Sequence, residues 1–229
     1  MRPAQLSQPR VAPSILAADF AKLGEQVGEV LEAGARVIHV DIMDGHFVPP
    51  ITMGPLIVGA LRELASSYDA LLDVHLMIER PQNLVGEFAR AGADVITIHA
   101  ESTPHLDYVL NEIRAAGVAA GLAVCPSTPL AVYAEVAEVI DVALCMTVNP
   151  GWGGQTFIEA SEDKVRRLAA MLAKDVSLEV DGGIEVGGTA ERCEAAGADL
   201  FVAGSAVFGS ADPAGAYVAL AAAVGDPRA

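Results

Sequence analysis

The sequence predicts an α/β fold, a single (β/α)8 barrel. Three observations carry that expectation: a repeated helix-to-strand junction, eight short apolar segments set between helical stretches, and no composition break among them. The junction is an Ala- and Glu-bearing segment, then Gly, then a β-branched run. It recurs at Glu32-Ala33-Gly34-Ala35-Arg36-Val37-Ile38, Arg90-Ala91-Gly92-Ala93-Asp94-Val95-Ile96, Ala115-Ala116-Gly117-Val118 and Ala195-Ala196-Gly197-Ala198-Asp199-Leu200-Phe201. Gly just past a helix supplies a left-handed cap without a Cβ penalty, and the apolar run behind it is too short for anything but a buried strand.

Filling between these junctions gives strands at Val11 to Leu16, Val37 to Asp41, Ala70 to Met77, Val95 to His99, Val118 to Val124, Val139 to Met146, Val176 to Asp181 and Leu200 to Gly204. Helical stripes occupy the gaps: Phe20, Leu23, Val27, Val30 and Leu31; Leu84, Val85 and Phe88; Val165, Leu168, Met171 and Leu172. Eight units in 229 residues is roughly 29 residues each, the size of a βα repeat. Strict alternation argues for a parallel sheet covered by helices. An open doubly wound sheet would leave edges to protect, and no strand is short and charged as an edge should be. Residues 1–10, with Pro3, Gln5, Ser7, Gln8 and Pro9, read as a loose leader and not as a signal peptide, and 11–229 as one catalytic domain.

Composition excludes several function classes. The chain is 52% hydrophobic and 19% charged, enough apolar material for one sizeable core. A net charge of -16 works against nucleic acid or an anionic membrane surface, although backbone N–H groups can still capture a small phosphate locally. No apolar stretch reaches the roughly 18 residues of a membrane span. Cys125, Cys145 and Cys193 are an odd number without metal-like spacing, read as small buried apolar groups in a reducing compartment, so the cytoplasm is expected.

A TIM barrel places its chemistry at the C-terminal strand ends. The second strand runs His39-Val40-Asp41-Ile42-Met43, and strand periodicity puts His39, Asp41 and Met43 on one face; Asp73, His75 and Met77 share a face of the third. Asp181 ends the seventh strand and completes a set of two His and two Asp. Ionisable groups inside a packed barrel are costly unless paired or bound to a cation, and mixed imidazole and carboxylate ligation suits Zn, Fe, Mn or Co. Asp41 and Asp181, from opposite sides of the barrel on strands two and seven, could flank a substrate on its two faces. One would remove a proton next to a carbonyl and the other return it from the opposite face, with a metal stabilising the enediolate.

Three glycine-bearing loops follow the last strands: Asn149-Pro150-Gly151-Trp152-Gly153-Gly154-Gln155, Gly182-Gly183 and Gly204-Ser205. Together they suggest a phosphate site at Gly151, Gly153, Gly154, Gly182, Gly183, Gly204 and Ser205, made from N–H groups and hydroxyls because the loops carry no Lys or Arg. Met43, Met77 and Met146 are either adaptable core or substrate contacts. Trp152 is loop packing or part of a lid, and Ser14 either reaches substrate or caps a turn.

These segments resemble the ribulose-phosphate 3-epimerase family from about Val11 to Gly209. The stretches are Ala12-Pro13-Ser14-Ile15-Leu16, His39 through Pro49, Asp73-Val74-His75-Leu76-Met77, Asn149 through Gln155, Glu179-Val180-Asp181-Gly182-Gly183-Ile184 and Val202-Ala203-Gly204-Ser205. The resemblance implies that His39, Asp41, His75 and Asp181 bind one divalent metal ion, with Asp41 and Asp181 as the acid/base pair. It implies that Ser14, His75, Met43, Met77 and Met146 line the substrate and that the glycine loops and Ser205 hold its phosphate. The implied reaction is interconversion of D-ribulose 5-phosphate and D-xylulose 5-phosphate at C3, in the pentose phosphate pathway, by a homo-oligomer. Alternatives are an allulose 6-phosphate (hexulose 6-phosphate) 3-epimerase, a metal-dependent sugar-phosphate aldolase and a non-catalytic sugar-phosphate binder. Pro50, where Asn is usual, Trp152, where Phe is usual, and Cys125, where Asn commonly precedes Pro126, depart from the family pattern and remove no expected ligand.

Overall fold

The computed structural model describes residues 3–227. Its strands are β1 (Arg10–Pro13), β2 (Val37–Met43), β3 (Leu71–Met77), β4 (Val95–His99), β5 (Ala119–Val124), β6 (Val142–Met146), β7 (Ser177–Asp181) and β8 (Leu200–Ala203). Between and after them lie α1 (Leu23–Glu32), α2 (Pro55–Ser67), α3 (Val85–Ala91), α4 (Leu106–Ala115), α5 (Ala131–Ala134), α6 (Ser161–Ala169), α7 (Thr189–Ala195), α8 (Ser205–Phe208) and α9 (Pro213–Ala223). Every neighbouring pair is parallel, in the order β1-β8-β7-β6-β5-β4-β3-β2. The ring meets itself at a single parallel bridge between Ser14 and His39, so the (β/α)8 barrel replaces the open-sheet alternative.

The junction glycines behave as their positions require: Gly34, Gly92, Gly117 and Gly197 all have φ between 81° and 119°, where an L side chain is strained. The outward faces of the strands and the inner faces of the helices form one large apolar core, including Val27, Leu31, Ile38, Phe88, Ile113 and Phe201. Inside the ring the side chains are layered. At the N-terminal strand ends, Ala12, Val37, Leu71, Val95, Ala119, Val142 and Leu200 close the bottom with apolar groups. Above them come buried His39, Asp73, Thr97 and Glu179, and above those Asp41, His75, His99 and Asp181. Gly121 on β5 has no room for a Cβ because Thr97 of β4 fills that space.

Several boundaries and faces differ from the sequence expectation. The first strand ends at Pro13, not Leu16, because the Ser14 hydroxyl accepts a hydrogen bond from Leu16 N–H and turns the chain into a short 3-10 segment over Ile15–Ala17. The second strand runs on to Met43, and the sixth begins at Val142, not Val139. Phe20 and Met171, placed on buried helical stripes, are 49% and 48% exposed. Both lie outside regular α-helix, so the 3.6-residue period does not extend to them.

The loose leader expected over residues 1–10 is docked where it is described. Ala4–Ser7 forms a 3-10 turn, Leu6 is fully buried in the bottom apolar layer, and its carbonyl accepts from the Ser177 hydroxyl at 2.8 Å. Arg10 already belongs to β1 and makes a buried ion pair with Asp226 at 2.5 Å. Leu6→Ala is therefore expected to cost about 2–5 kcal/mol, as for other buried leucines. Urea unfolding checks this, and an unchanged midpoint would mean that the plug is not part of the core.

Candidate active site

The site is assembled by register. In the β2–β3 pair His39 stands opposite Asp73, Asp41 opposite His75 and Met43 opposite Met77, so the lower two of these levels each bring an imidazole beside a carboxylate. Asp181 ends β7 beside Met146 of β6. Strands β2 and β7 stand three places apart around the ring, separated by β1 and β8, and not directly opposite as expected.

Ligating atoms of His39, Asp41, His75 and Asp181 lie within 4.8 Å of one another. His39 Nε2 is 3.3 Å from Asp41 Oδ1, and His75 Nδ1 is 3.1 Å from Asp41 Oδ1 and 3.8 Å from Asp181 Oδ2. The rear nitrogen of His39, Nδ1, lies 2.7 Å from Asp73 Oδ2, which fixes the ring and turns Nε2 toward the other three groups. Nε2 is buried and makes no hydrogen bond. A buried imidazole nitrogen without a hydrogen-bond partner, aimed among two carboxylates and a second imidazole, fits a divalent cation by both geometry and donor chemistry.

The surrounding charges are strongly perturbed. Burial alone would lower the His39 imidazole, but the Asp41 and Asp73 carboxylates hold it well above its usual value. Burial opposes ionisation of Asp41, yet His39 and His75 hold it below the usual carboxylate range. Burial pushes His75 down to about 4, outweighing its hydrogen bond with Asp41. Asp181 is pushed up to about 7 by burial and then by the charge of Asp41. The two carboxylates are thus held differently, Asp41 below the usual carboxylate range and Asp181 raised to about 7.

A cavity of about 460 Å³ opens over these groups. Asp41 and Asp181 line it together with Ser14, Met43, Met77 and Met146, while His39 and His75 are fully buried beneath. The Ser14 hydroxyl donates to Asp41 Oδ2 at 2.6 Å while also capping its turn, and Ser14 borders the cavity. Gly151, Gly153, Gly154, Gly182, Gly183, Gly204 and Ser205 all border the same cavity, and no Lys or Arg is among the described residues that line it. Gly182 has φ 122° and stands against Val148; Gly183 has φ 66°, and a Cβ there would come within 2.7 Å of Phe157 N. Trp152 stands at the mouth, 63% exposed.

Comparison with known proteins identifies the family. The chain matches the Ribulose-phosphate 3 epimerase family over residues 10–208. It belongs to that family. A ribulose-phosphate 3-epimerase of Bacillus subtilis (strain 168) is 49% identical over 207 residues, covering 89% of this chain and 94% of the relative. One from Synechocystis is 52% identical over 203 residues, covering 86% of each. Among solved structures, KGPDC from Streptococcus mutans superposes with a TM-score of 0.71 at 17% identity, covering 95% and 98% of the two chains, a likeness of fold.

The candidate site also contains polar residues that sequence reasoning did not select. Asp73 and Glu179 sit one level below the cavity, and His99 and Glu101 stand beside His75 at the end of β4. The period-2 pattern that selected His39 and His75 applies equally to Val95, Thr97 and His99, and so could have found His99. In metal-free protein a carboxyl titration is expected near pH 7, visible by carbon NMR and absent in Asp181→Asn. A spectrum in which every aspartate titrates near 4 would contradict the burial and charge described here.

Proposed function

We propose that this chain is a metal-dependent isomerase that interconverts D-ribulose 5-phosphate and D-xylulose 5-phosphate at C3, a step of the pentose phosphate pathway. The observation that supports it most directly is the pairing of Asp41 and Asp181, from separate strands, at one cavity above two buried imidazoles. His39, Asp41, His75 and Asp181 would hold one divalent ion, with Zn, Fe, Mn and Co all suited to this donor set. Such an ion supplies Lewis-acid charge that acidifies a C–H bond beside a carbonyl.

The side chains account for the proton movements. One carboxylate takes the C3 proton, and the C–H electron pair forms the C2–C3 double bond of an enediolate. The other aspartate, in its carboxylic acid form, then protonates C3 from the opposite face and becomes a carboxylate as the C2 carbonyl re-forms. No electrons leave the sugar. Asp41 is suited to accept because it is held charged, and Ser14 orients it through Oδ2. Asp181, near neutrality, can give or take a proton with little cost. Met43, Met77 and Met146 supply adaptable apolar walls for the sugar, alongside His75 below.

The glycine loops and Ser205 would receive the phosphate through backbone N–H groups and a hydroxyl, consistent with a cavity lined by no cationic side chain. The relatives' names favour ribulose phosphate over the hexulose-phosphate and aldolase alternatives. Homo-oligomeric assembly and a cytoplasmic location remain part of the proposal; the three unpaired cysteines support the latter.

Turnover in heavy water is expected to place solvent deuterium at C3 of the product, and full retention of the original hydrogen would eliminate the two-base route. In metal-loaded protein Asp41→Asn or Asp181→Asn should lower turnover by at least about 100-fold. Near-normal activity in either variant would remove that residue from the acid/base pair.

A further inference from the structure

Behind the four candidate ligands runs a line of polar side chains that takes no direct part in the proposed reaction. His75 presents Nδ1 to Asp41 and Asp181. Its other nitrogen, Nε2, lies 2.8 Å from His99 Nε2, with the ring centroids 5.0 Å apart and the planes 25° from parallel. His99 Nδ1 in turn lies 3.2 Å from Glu101 Oε2. Both imidazoles are fully buried, so each proton along this line is governed by its neighbour.

We infer that His99 and Glu101 are positioning residues that set the tautomer of His75 and so leave its Nδ1 lone pair free for the divalent ion. This rests on the metal-dependent reading above. A neutral imidazole that ligates through Nδ1 carries its proton on Nε2. At 2.8 Å that N–H must donate to His99 Nε2, which must therefore be bare. His99 then holds its own proton on Nδ1, and that proton needs an acceptor. Glu101 Oε2 supplies one.

Glu101 is itself fixed in the accepting state. Its other oxygen, Oε1, accepts from Cys125 N–H at 2.8 Å and from the Thr128 hydroxyl. Burial would raise this carboxyl, but the bonds from His99, Thr128 and Cys125 bring it down to about 2. The Cys125 thiol lies 3.6 Å from His99 Nδ1, and burial with the Glu101 charge pushes it up to about 12. It therefore stays a thiol, a weaker acceptor than the carboxylate beside it.

The discriminating variant is Glu101→Gln, which keeps size and removes charge. Two donors, Cys125 N–H and the Thr128 hydroxyl, hold the amide oxygen at the Oε1 position, so the amide NH2 faces His99 Nδ1. His99 must then accept at Nδ1 and carry its proton on Nε2, opposite the His75 N–H. The two N–H groups oppose each other only in the ligating state.

The test uses one equivalent of zinc on full-length protein, with chelator competition for affinity and nitrogen-15 imidazole spectra for tautomers. In zinc-loaded wild type, His99 is expected as the neutral Nδ1–H form and His75 as the Nε2–H form. Glu101→Gln is expected to bind zinc about 10- to 100-fold more weakly, the usual effect of losing a partner behind a metal-bound imidazole. Wild-type zinc affinity in a folded Glu101→Gln, or an Nε2–H tautomer of His99 in zinc-loaded wild type, would overturn the relay. The wild-type spectrum decides alone should the variant not fold. A second equivalent of zinc bound by wild type and lost in the variant would also overturn it, because His99, Glu101 and Cys125 would then be ligands themselves. Wild type that binds no divalent ion would sink the metal-dependent reading and the relay with it, whereas metal binding and ribulose 5-phosphate turnover with no change in the variant would sink the relay only.

Discussion

The constraint on which this barrel depends is the charge of its lumen. Four carboxylates, Asp41, Asp73, Glu179 and Asp181, share the interior with His39 and His75, and most of these side chains have almost no contact with solvent. Unpaired, that charge would cost far more than the stability of a domain of this size. Protons resolve it in the metal-free protein. Asp41 and Asp73 hold the His39 imidazole well above its usual value, burial and the neighbouring Asp73 raise Glu179, and burial with the Asp41 charge pushes Asp181 up to about 7. A divalent ion would take the place of the His39 proton, so its binding is coupled to proton release.

Layering makes this arrangement tolerable. The base of the barrel is sealed by apolar side chains and by Leu6 from the leader, which puts the charged levels at the C-terminal end. Because β2 and β3 pair in register, each inward carboxylate of one strand meets an inward imidazole of the other. A one-residue slip would turn all of them outward and leave the apolar residues Ile38, Val40 and Ile42 in the lumen. The apolar core outside the sheet therefore specifies the register that the polar groups inside require.

Much of this is legible in the sequence, and the parts that are not share a cause. The strands and their glycine caps follow from local rules of period and φ, and His39, Asp41, His75 and Asp181 follow from period 2 at strand ends. The end of β1 escapes those rules because it depends on one hydroxyl, that of Ser14, competing for a backbone N–H. The leader escapes them because its polar composition says nothing about where Leu6 fits. Glu101 reaches His99 only through the turn over Ala100–Ser102 and the approach of Cys125 and Thr128 from after β5. Those are tertiary facts without a sequence period.

Acidity of the whole chain and capture of a phosphorylated sugar are reconciled by distance and dipole. A net charge of -16 repels an anion at long range, but salt screens this within about 8 Å at physiological ionic strength. At contact the field is local. Asp41 and Asp181 line the cavity above the two buried imidazoles, and the glycine loops after β6, β7 and β8 border it as well. A lysine among those loops would be drawn to Asp41 and Asp181 and would compete with the cation for them. Backbone N–H groups carry no net charge, so they can face a phosphate without disturbing the ionisation of the carboxylates proposed to move the proton. Packing requires glycine at 182 and 183 in this wall of the cavity, since a side chain at either would collide with Val148 or with the backbone of Phe157.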